Sequence, residues 1–177
     1  MHRELERIVE KFVPELQWLS ASQCQQHPPR RAESWSVQQN VTHLVLTYRS
    51  TVQLLERCLA QGPAPSDRLA LGQIAPRLLV IGLGIFPRGA KAPEFVHPDR
   101  LALPAESGAD LIVLLREELA RMDARLAECE AKFGGSALGS HFAFGPLTAR
   151  QWRRFHALHG QLHLRQVKSL LRFIRMN

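Results

Sequence analysis

The chain has 177 residues, of which 45% are hydrophobic, and it has a formal net charge of +7 at neutral pH. This length suits one domain with its own core and is short for two, so we expect a single domain over residues 1–177. The most apolar stretch, residues 78–86, is about half as long as the ~20 residues that cross a bilayer, which argues against a membrane span. The positive charge favours encounter with anions but does not identify a partner.

The cysteines and the amino terminus indicate a compartment. Cys24, Cys58 and Cys129 are far apart and form no C-x-x-C pair, so the sequence suggests neither a disulfide framework nor a thiolate zinc site. Residues 1–12 alternate charged and apolar side chains and lack the continuous apolar region of a signal peptide. We therefore expect a cytoplasmic protein whose chain begins with a helix.

The first two predicted elements are long helices. The first covers about residues 2–22, with apolar residues at helical spacing, and Pro14 is expected to kink it or split it in two. The second covers about residues 37–61. Its start is marked by Ser36 and Gln39, which have the spacing of a capping box.

The second half of the chain is predicted to contain two further long helices, over about residues 109–132 and 149–175. Before them, a helix over about residues 67–83 is interrupted by Pro76, and residues 84–106 form an irregular excursion that either lines a site or only connects two helices. No extended strand alternation is present. The predicted fold is all-α: a four-helix bundle with an extra short helix or long loop between the second and third main helices.

The last predicted helix contains the run RRFHALHGQLHLRQVKSLLRFIR, with three histidines within eight residues. At about 100° per residue, His159 and His163 lie about 40° apart in the apolar stripe, and His156 lies about 60° from its centre, where we expect a rim residue rather than a ligand. The basic side chains occupy the opposite face. They are Arg150, Arg154, Arg165, Lys168, Arg172 and Arg175.

The inward histidines are either metal ligands or core histidines satisfied by hydrogen bonds. Side chains at i and i+4 on a helix stand one above the other, so His159 and His163 can reach one ion. His43, in the middle of the apolar second helix, is the natural third ligand. Buried imidazoles are costly unless paired, and a divalent ion would satisfy all three, but the spacing alone leaves both interpretations open.

The segments WSVQQNVTHLVLTYRS and HFAFGPLTARQWRRFHALHGQLHLRQ resemble the DinB/YfiT-like superfamily of metalloproteins, particularly a bacterial branch that ends in FG-x-LT-x-x-QW and H-x-x-x-H. Trp35 and His43 match the first motif, and His159 with His163 matches the second. Many relatives have another histidine where this chain has Leu162. The resemblance implies a four-helix bundle, frequent homodimers, and a divalent metal, usually zinc or nickel, with these three histidines as its ligands.

The resemblance also implies a function. Characterised relatives include transferases and isomerases that use low-molecular-weight thiols such as bacillithiol or mycothiol, and their metal is thought to lower the pKa of the thiol. The expected activity is therefore transfer of such a thiol to a small electrophilic substrate, or hydrolysis. Four further residues are candidates for the pocket or its support: Gln166 beside an imidazole or a bound water, or else as a buried amide that bonds a neighbouring helix, Trp152 in the core, His141 at the pocket or in a loop cap, and His156 at the rim.

Two other functions remain open. The basic face of the last helix could bind nucleic acid or another polyanion, but its aromatic residues face inward and no recognition motif is present, which favours an ordinary solvated face. The second is a non-catalytic, stress-related helical-bundle protein with an inactive site. The sequence leaves the substrate, the thiol and the metal unspecified.

Overall fold

The computed structural model describes residues 1–27, 34–63, 69–87, 91–102 and 104–174. Within these residues the chain is mostly helical and has one small two-stranded sheet. No helix of this described part is long and apolar enough to cross a membrane.

The predicted first helix is two helices. Helix α1 covers Arg3–Leu16 and includes Pro14 in its last turn, and α2 covers Ala21–Cys24. The break follows the proline by two residues because Ser20 begins a new helix with a capping box: its hydroxyl accepts from the backbone of Gln23, whose side chain accepts from the backbone of Ser20.

The three other long helices match their predicted ranges closely. Helix α3 covers Val37–Gln61 and begins with the predicted capping box; it ends at Gly62, whose φ of 85° is a conformation that favours glycine. Helix α5 covers Gly108–Phe133 and α6 covers Ala149–Ile174. Helix α1 contacts α5 and α6, and α3 contacts the same two helices.

Between α3 and α5, the described residues form only short and irregular elements. Helix α4 covers Leu71–Arg77 and continues directly into a π-helical turn over Leu78–Gly82. Pro76 lies inside α4 without ending it, and the start predicted at residue 67 lies outside the described residues. Because proline lacks an N–H, the backbone bonds around it rearrange, and the π turn follows. Two 3-10 turns come later in this region, at Glu94–Val96 and Pro98–Arg100.

The expectation of helices alone is wrong between α5 and α6. Strand β1, Ala137–His141, pairs antiparallel with β2, Gly145–Thr148, in a hairpin. Its strands are too short and too rich in glycine for a clear alternation pattern. Arg77 donates hydrogen bonds to the backbone oxygens of Phe144 and Pro146, and thereby ties α4 to the hairpin.

The core has one close backbone contact and one buried ion pair that fix the helices relative to each other. The Gly108 amide donates to the Leu19 oxygen at 2.9 Å, and a Cβ at this glycine would lie 1.8 Å from the backbone oxygen of Leu16. Arg153 on α6 bonds Asp123 on α5 at 2.8 Å, and both side chains are 9% exposed. Helices α5 and α6 are thus joined by charge as well as by apolar packing.

Candidate metal centre

The structure brings together the three histidines that the sequence selects. His43 on α3 and His159 and His163 on α6 are all buried. The Nε2 atom of His159 lies 3.2 Å from Nε2 of His43 and 3.0 Å from Nε2 of His163. Their ligand atoms all lie within 4.8 Å of one another, so the group could hold a metal ion.

Two of these imidazoles have a fixed tautomer. Nδ1 of His43 lies 2.7 Å from the backbone oxygen of Val96, and Nδ1 of His163 lies 2.9 Å from Oδ1 of Asn40. Both partners are oxygen acceptors, so each Nδ1 carries the hydrogen and donates it. In the neutral rings the Nε2 lone pairs are then free and point at the cluster, which is the arrangement found around metal-bound histidines.

The nitrogen atoms of His159 indicate whether the cluster fits a metal ion. Its Nε2 lies between the two lone pairs, and at most one proton can serve both short contacts. Its Nδ1 is buried and has no hydrogen-bond partner in the described structure. A divalent ion would satisfy all three Nε2 atoms, whereas hydrogen bonds within the cluster cannot. The donor set therefore fits a divalent ion that prefers nitrogen ligands.

Burial keeps these imidazoles neutral. It lowers the pKa of His43, although the bond to the Val96 oxygen acts in the other direction and nearby His97 adds to the lowering. Burial first, and then the neighbouring histidines, hold the pKa of His159 and of His163 well below the ordinary value. Neutral imidazole is the form that binds metals, so the ligands are ready at neutral pH.

Aromatic rings hold the histidines in place. The Trp35 ring stacks on His163, with centroids 6.0 Å apart and planes 14° apart, and lies 4.9 Å from His43. Phe155 stacks on His159 at 5.3 Å and 13°. Phe86 packs on the same ring at 5.9 Å. These contacts restrict ring rotation, so the nitrogen atoms stay aimed at one point.

The cluster opens into a cavity of about 490 Å³. Its walls are mainly aromatic and aliphatic side chains from α3, α6, the hairpin and the irregular region before α5. Of the two interpretations of residues 84–106, the structure supports the first, because Phe86, Lys91, Phe95 and Val96 line this cavity.

His156 is not a rim residue, contrary to the sequence expectation. It is 1% exposed, and its Nε2 lies 3.1 Å from Oγ1 of Thr51. The Thr51 hydroxyl donates its proton to the backbone oxygen of Thr47, so Nε2 of His156 must be the donor in its contact with Thr51. Nδ1 of His156 has no partner in the described structure. His156 is buried because α6 packs against α3 here, with the ring centroids of Tyr48 and His156 5.3 Å apart. The buried part of the α6 surface is therefore wider than its apolar stripe.

The other predicted pocket residues take different positions. Trp152 is buried at 3% exposure and His141 at 8%, and both line the cavity. Nδ1 of His141 accepts from the Ala143 amide, so this histidine caps the hairpin turn as well as lining the cavity. Gln166 is exposed and lines the cavity, and its side chain, as a hydrogen-bond acceptor for His163, opposes the lowering of the His163 pKa.

Sequence reasoning missed the two groups that fix the tautomers. Asn40 lies three residues before His43, which places both on neighbouring parts of one helix face, so this signal was available. The Val96 oxygen gave no signal, because a backbone carbonyl in an irregular region can be placed only by the fold.

The basic side chains on the outer face of α6 are absent from the lining of the cavity, as far as the structure describes them. Five of the six assigned to the outer face are exposed, namely Arg150, Arg154, Arg165, Lys168 and Arg172. The sixth, Arg175, lies outside the described residues. This arrangement agrees with a solvated back of α6.

Fold and site together define a class: a mostly helical protein with a buried cluster of three histidines at the end of an apolar cavity. The sequence model of the DinB superfamily matches residues 4–167. The chain therefore belongs to the DinB superfamily. No curated protein gives a significant match, and no solved structure does either.

Proposed function

We propose that this protein is a metal-dependent enzyme that transfers a low-molecular-weight thiol to a small electrophilic substrate. Its zinc or nickel ion is held by the Nε2 atoms of His43, His159 and His163. The observation that carries the proposal is the convergence of these three atoms, with the Nδ1 hydrogens of two rings donated outward to fixed acceptors.

The spacing of the nitrogen atoms supports this ligand set. Tetrahedral zinc with Zn–N bonds of about 2.0–2.1 Å has its ligand nitrogens about 3.3 Å apart. The two contacts of 3.0 and 3.2 Å are close to that value and lengthen slightly if the rings move outward. Three protein ligands leave a position for a small molecule, as catalytic zinc sites do. When bound, such an ion lowers the pKa of a coordinated thiol, so that the thiolate forms at neutral pH.

The lining of the cavity favours a nucleophile that is a bound small molecule instead of a side chain of the protein. Its described lining includes no cysteine and no carboxylate. Cys24, Cys58 and Cys129 are buried elsewhere, and burial raises the pKa of the Cys24 and Cys129 thiols to about 11. These thiols are inert, and a low-molecular-weight thiol supplies the missing nucleophile.

Several residues of the chain then have defined tasks. Val96 and Asn40 hold the protons at Nδ1 of His43 and His163, so that Nε2 stays a lone pair. Trp35 and Phe155 keep the rings oriented, and the apolar walls of the cavity exclude water from the reacting thiol.

The experiment is metal loading followed by a turnover assay. The full chain is loaded with zinc or with nickel, the bound metal is counted, and the loaded protein is mixed with bacillithiol, mycothiol or cysteine and 1-chloro-2,4-dinitrobenzene. We expect about one ion per chain and metal-dependent thioether formation, both lost in His159→Ala and retained in the surface control Arg172→Ala. Equal activity without metal would refute the proposal. One ion per chain with no turnover of any pair would favour the non-catalytic alternative.

The finer expectations for the molecule form part of the same proposal. We propose that α1, α3, α5 and α6 make up the four-helix bundle typical of the family, within one domain. The homodimer and the cytoplasmic location remain predictions, and analytical ultracentrifugation of the full chain tests the first of them.

A further inference from the structure

The side chains that line the cavity indicate the chemical class of the electrophilic substrate, the second substrate beside the thiol. Resting on the proposed function, we infer that this substrate is a flat, largely aromatic molecule with one anionic group, such as an aryl carboxylate. Its ring lies among the phenylalanines of the cavity and its anion lies at Lys91.

Aromatic residues extend from the cluster to the mouth of the cavity. Phe155 and Phe144 are buried and meet edge to face, with centroids 5.6 Å apart. Nearer the solvent, Phe95 and Phe142 are 53% and 61% exposed and form a second edge-to-face pair at 6.4 Å. Exposed apolar groups next to a cavity mark a binding site, because a ligand that covers them removes apolar surface from water. Aromatic pairs also favour a flat ring through stacking and edge contacts.

The charges of the cavity select the sign of the ligand. Lys91 is the one Lys or Arg in the described lining, which contains neither Asp nor Glu, and no ion pair involves it among the described residues. The neutral histidines add no negative charge, so the proposed ion and Lys91 both favour an anion. A cationic substrate would meet two positive groups, the proposed ion at the buried end and Lys91, which is exposed and therefore partly screened by solvent.

The size and the number of polar groups limit the ligand further. The volume of about 490 Å³ lies in the lower half of the range of roughly 300–1,000 Å³ for small-molecule sites. It has room for one or two rings beside the head of a small thiol, and none for a polymer. Three hydroxyls of α3 line the cavity, and those of Thr47 and Thr51 already donate to backbone oxygens, which leaves Ser50 as the hydroxyl donor of this wall for a sugar or another polar molecule.

Binding of defined probes to the zinc-loaded full chain tests the inference. The probes are 2-naphthoate, its neutral analogue 2-naphthalenemethanol, and the non-aromatic cyclohexanecarboxylate, each titrated by calorimetry. We expect naphthoate to bind at least tenfold more tightly than either analogue. In Lys91→Gln the preference for naphthoate over the alcohol should fall below threefold, and in the Phe95→Leu/Phe142→Leu double variant the preference for naphthoate over the cyclohexane acid should fall similarly.

The variants change exposed side chains, so the fold should survive, and zinc content is measured on the same samples. Absence of bound zinc would defeat the proposed function. Full zinc content with no preference for naphthoate, or with a preference that Lys91→Gln leaves unchanged, would overturn this inference alone, since the carboxylate would then be recognised by the metal or not at all.

Discussion

The substitution Asn40→Ala tests how the protein orients one ligand of the cluster. Asn40 is 2% exposed, and its Oδ1 accepts the proton of His163 Nδ1 at 2.9 Å. Its Nδ2 donates to the Ser36 oxygen, but that oxygen also accepts the helical amide of residue 40 and keeps this partner in the variant. The imidazole N–H is thereby left unpaired in a buried place, and the partly buried Trp35 oxygen also loses a long bond of 3.4 Å from Nδ2.

The expected loss of stability is set mainly by the unpaired imidazole N–H, because the bond to the Trp35 oxygen is long and only partly buried. An unpaired buried donor costs about 1–3 kcal/mol, so the metal-free variant should be less stable by that amount. Loss of the group that orients a metal-bound histidine typically weakens binding 10–100-fold, which corresponds to about 1.4–2.7 kcal/mol. The variant Asn40→Asp keeps an acceptor at this position and adds a negative charge, so it should bind zinc at least as tightly as the natural chain.

The assay is competition for zinc against a chromophoric chelator, together with urea denaturation of the metal-free protein. Gln38→Ala is the matched control. Gln38 is a buried amide on the same helix, 7% exposed, but it bonds the Pro104 oxygen and the Glu106 amide instead of the histidines. It should lose comparable stability and keep its zinc affinity. A folded Asn40→Ala variant with unchanged zinc affinity, or an equal loss of affinity in Gln38→Ala, would show that Asn40 does not orient His163.

Three further predictions concern stability, each measured as the free energy of unfolding of the metal-free protein. Gly108→Ala should lower the free energy of unfolding by about 1–3 kcal/mol or more, because the added Cβ would lie 1.8 Å from the Leu16 oxygen. Gly135→Ala is the control and should be nearly neutral, because no atom lies within 4 Å of the added Cβ. Equal effects of the two substitutions would contradict the close packing at Gly108. Arg153→Met should cost about 3 kcal/mol, since it leaves a buried carboxylate on α5 without its cation, and a neutral result would mean that this ion pair adds nothing. Burial lowers the pKa of His156 from 6.5 to about 3, so below pH 6.5 the unfolded chain binds a proton that the folded chain does not. The free energy of unfolding should therefore decrease as the pH is lowered. From pH 6.5 to 5 this histidine accounts for about 2 kcal/mol, and the pH dependence in His156→Gln should be shallower by one proton; an unchanged slope would show that this histidine does not titrate as inferred.

The sequence predicted the long helices because their starts and ends are local features. Ser36 with Gln39 marks the start of α3, and Gly62 its end, through hydrogen bonds and backbone angles confined to a few residues. The hairpin between α5 and α6 was missed because its short strands show no clear alternation, and the Arg77 side chain that bonds its backbone comes from a helix far away in the sequence.

The three histidines of the site were predictable for the same reason, because their placement depends on local features. The i, i+4 spacing of His159 and His163 places both on one face of α6, and an apolar helix around His43 directs that residue inward. Nothing in the sequence sets the packing of α3 against α6, which buries His156 beside Thr51. A helical wheel describes one helix in isolation, and so it misjudges residues at the edge of the apolar stripe.

X-ray absorption spectroscopy of the full chain, loaded with one equivalent of zinc and without added thiol, tests the metal centre most directly. We expect three imidazole nitrogens at about 2.0–2.1 Å and no sulfur, with fewer imidazoles in His163→Ala. A sulfur ligand at about 2.3 Å, or a spectrum that the loss of His163 leaves unchanged, would contradict a metal centre made by His43, His159 and His163.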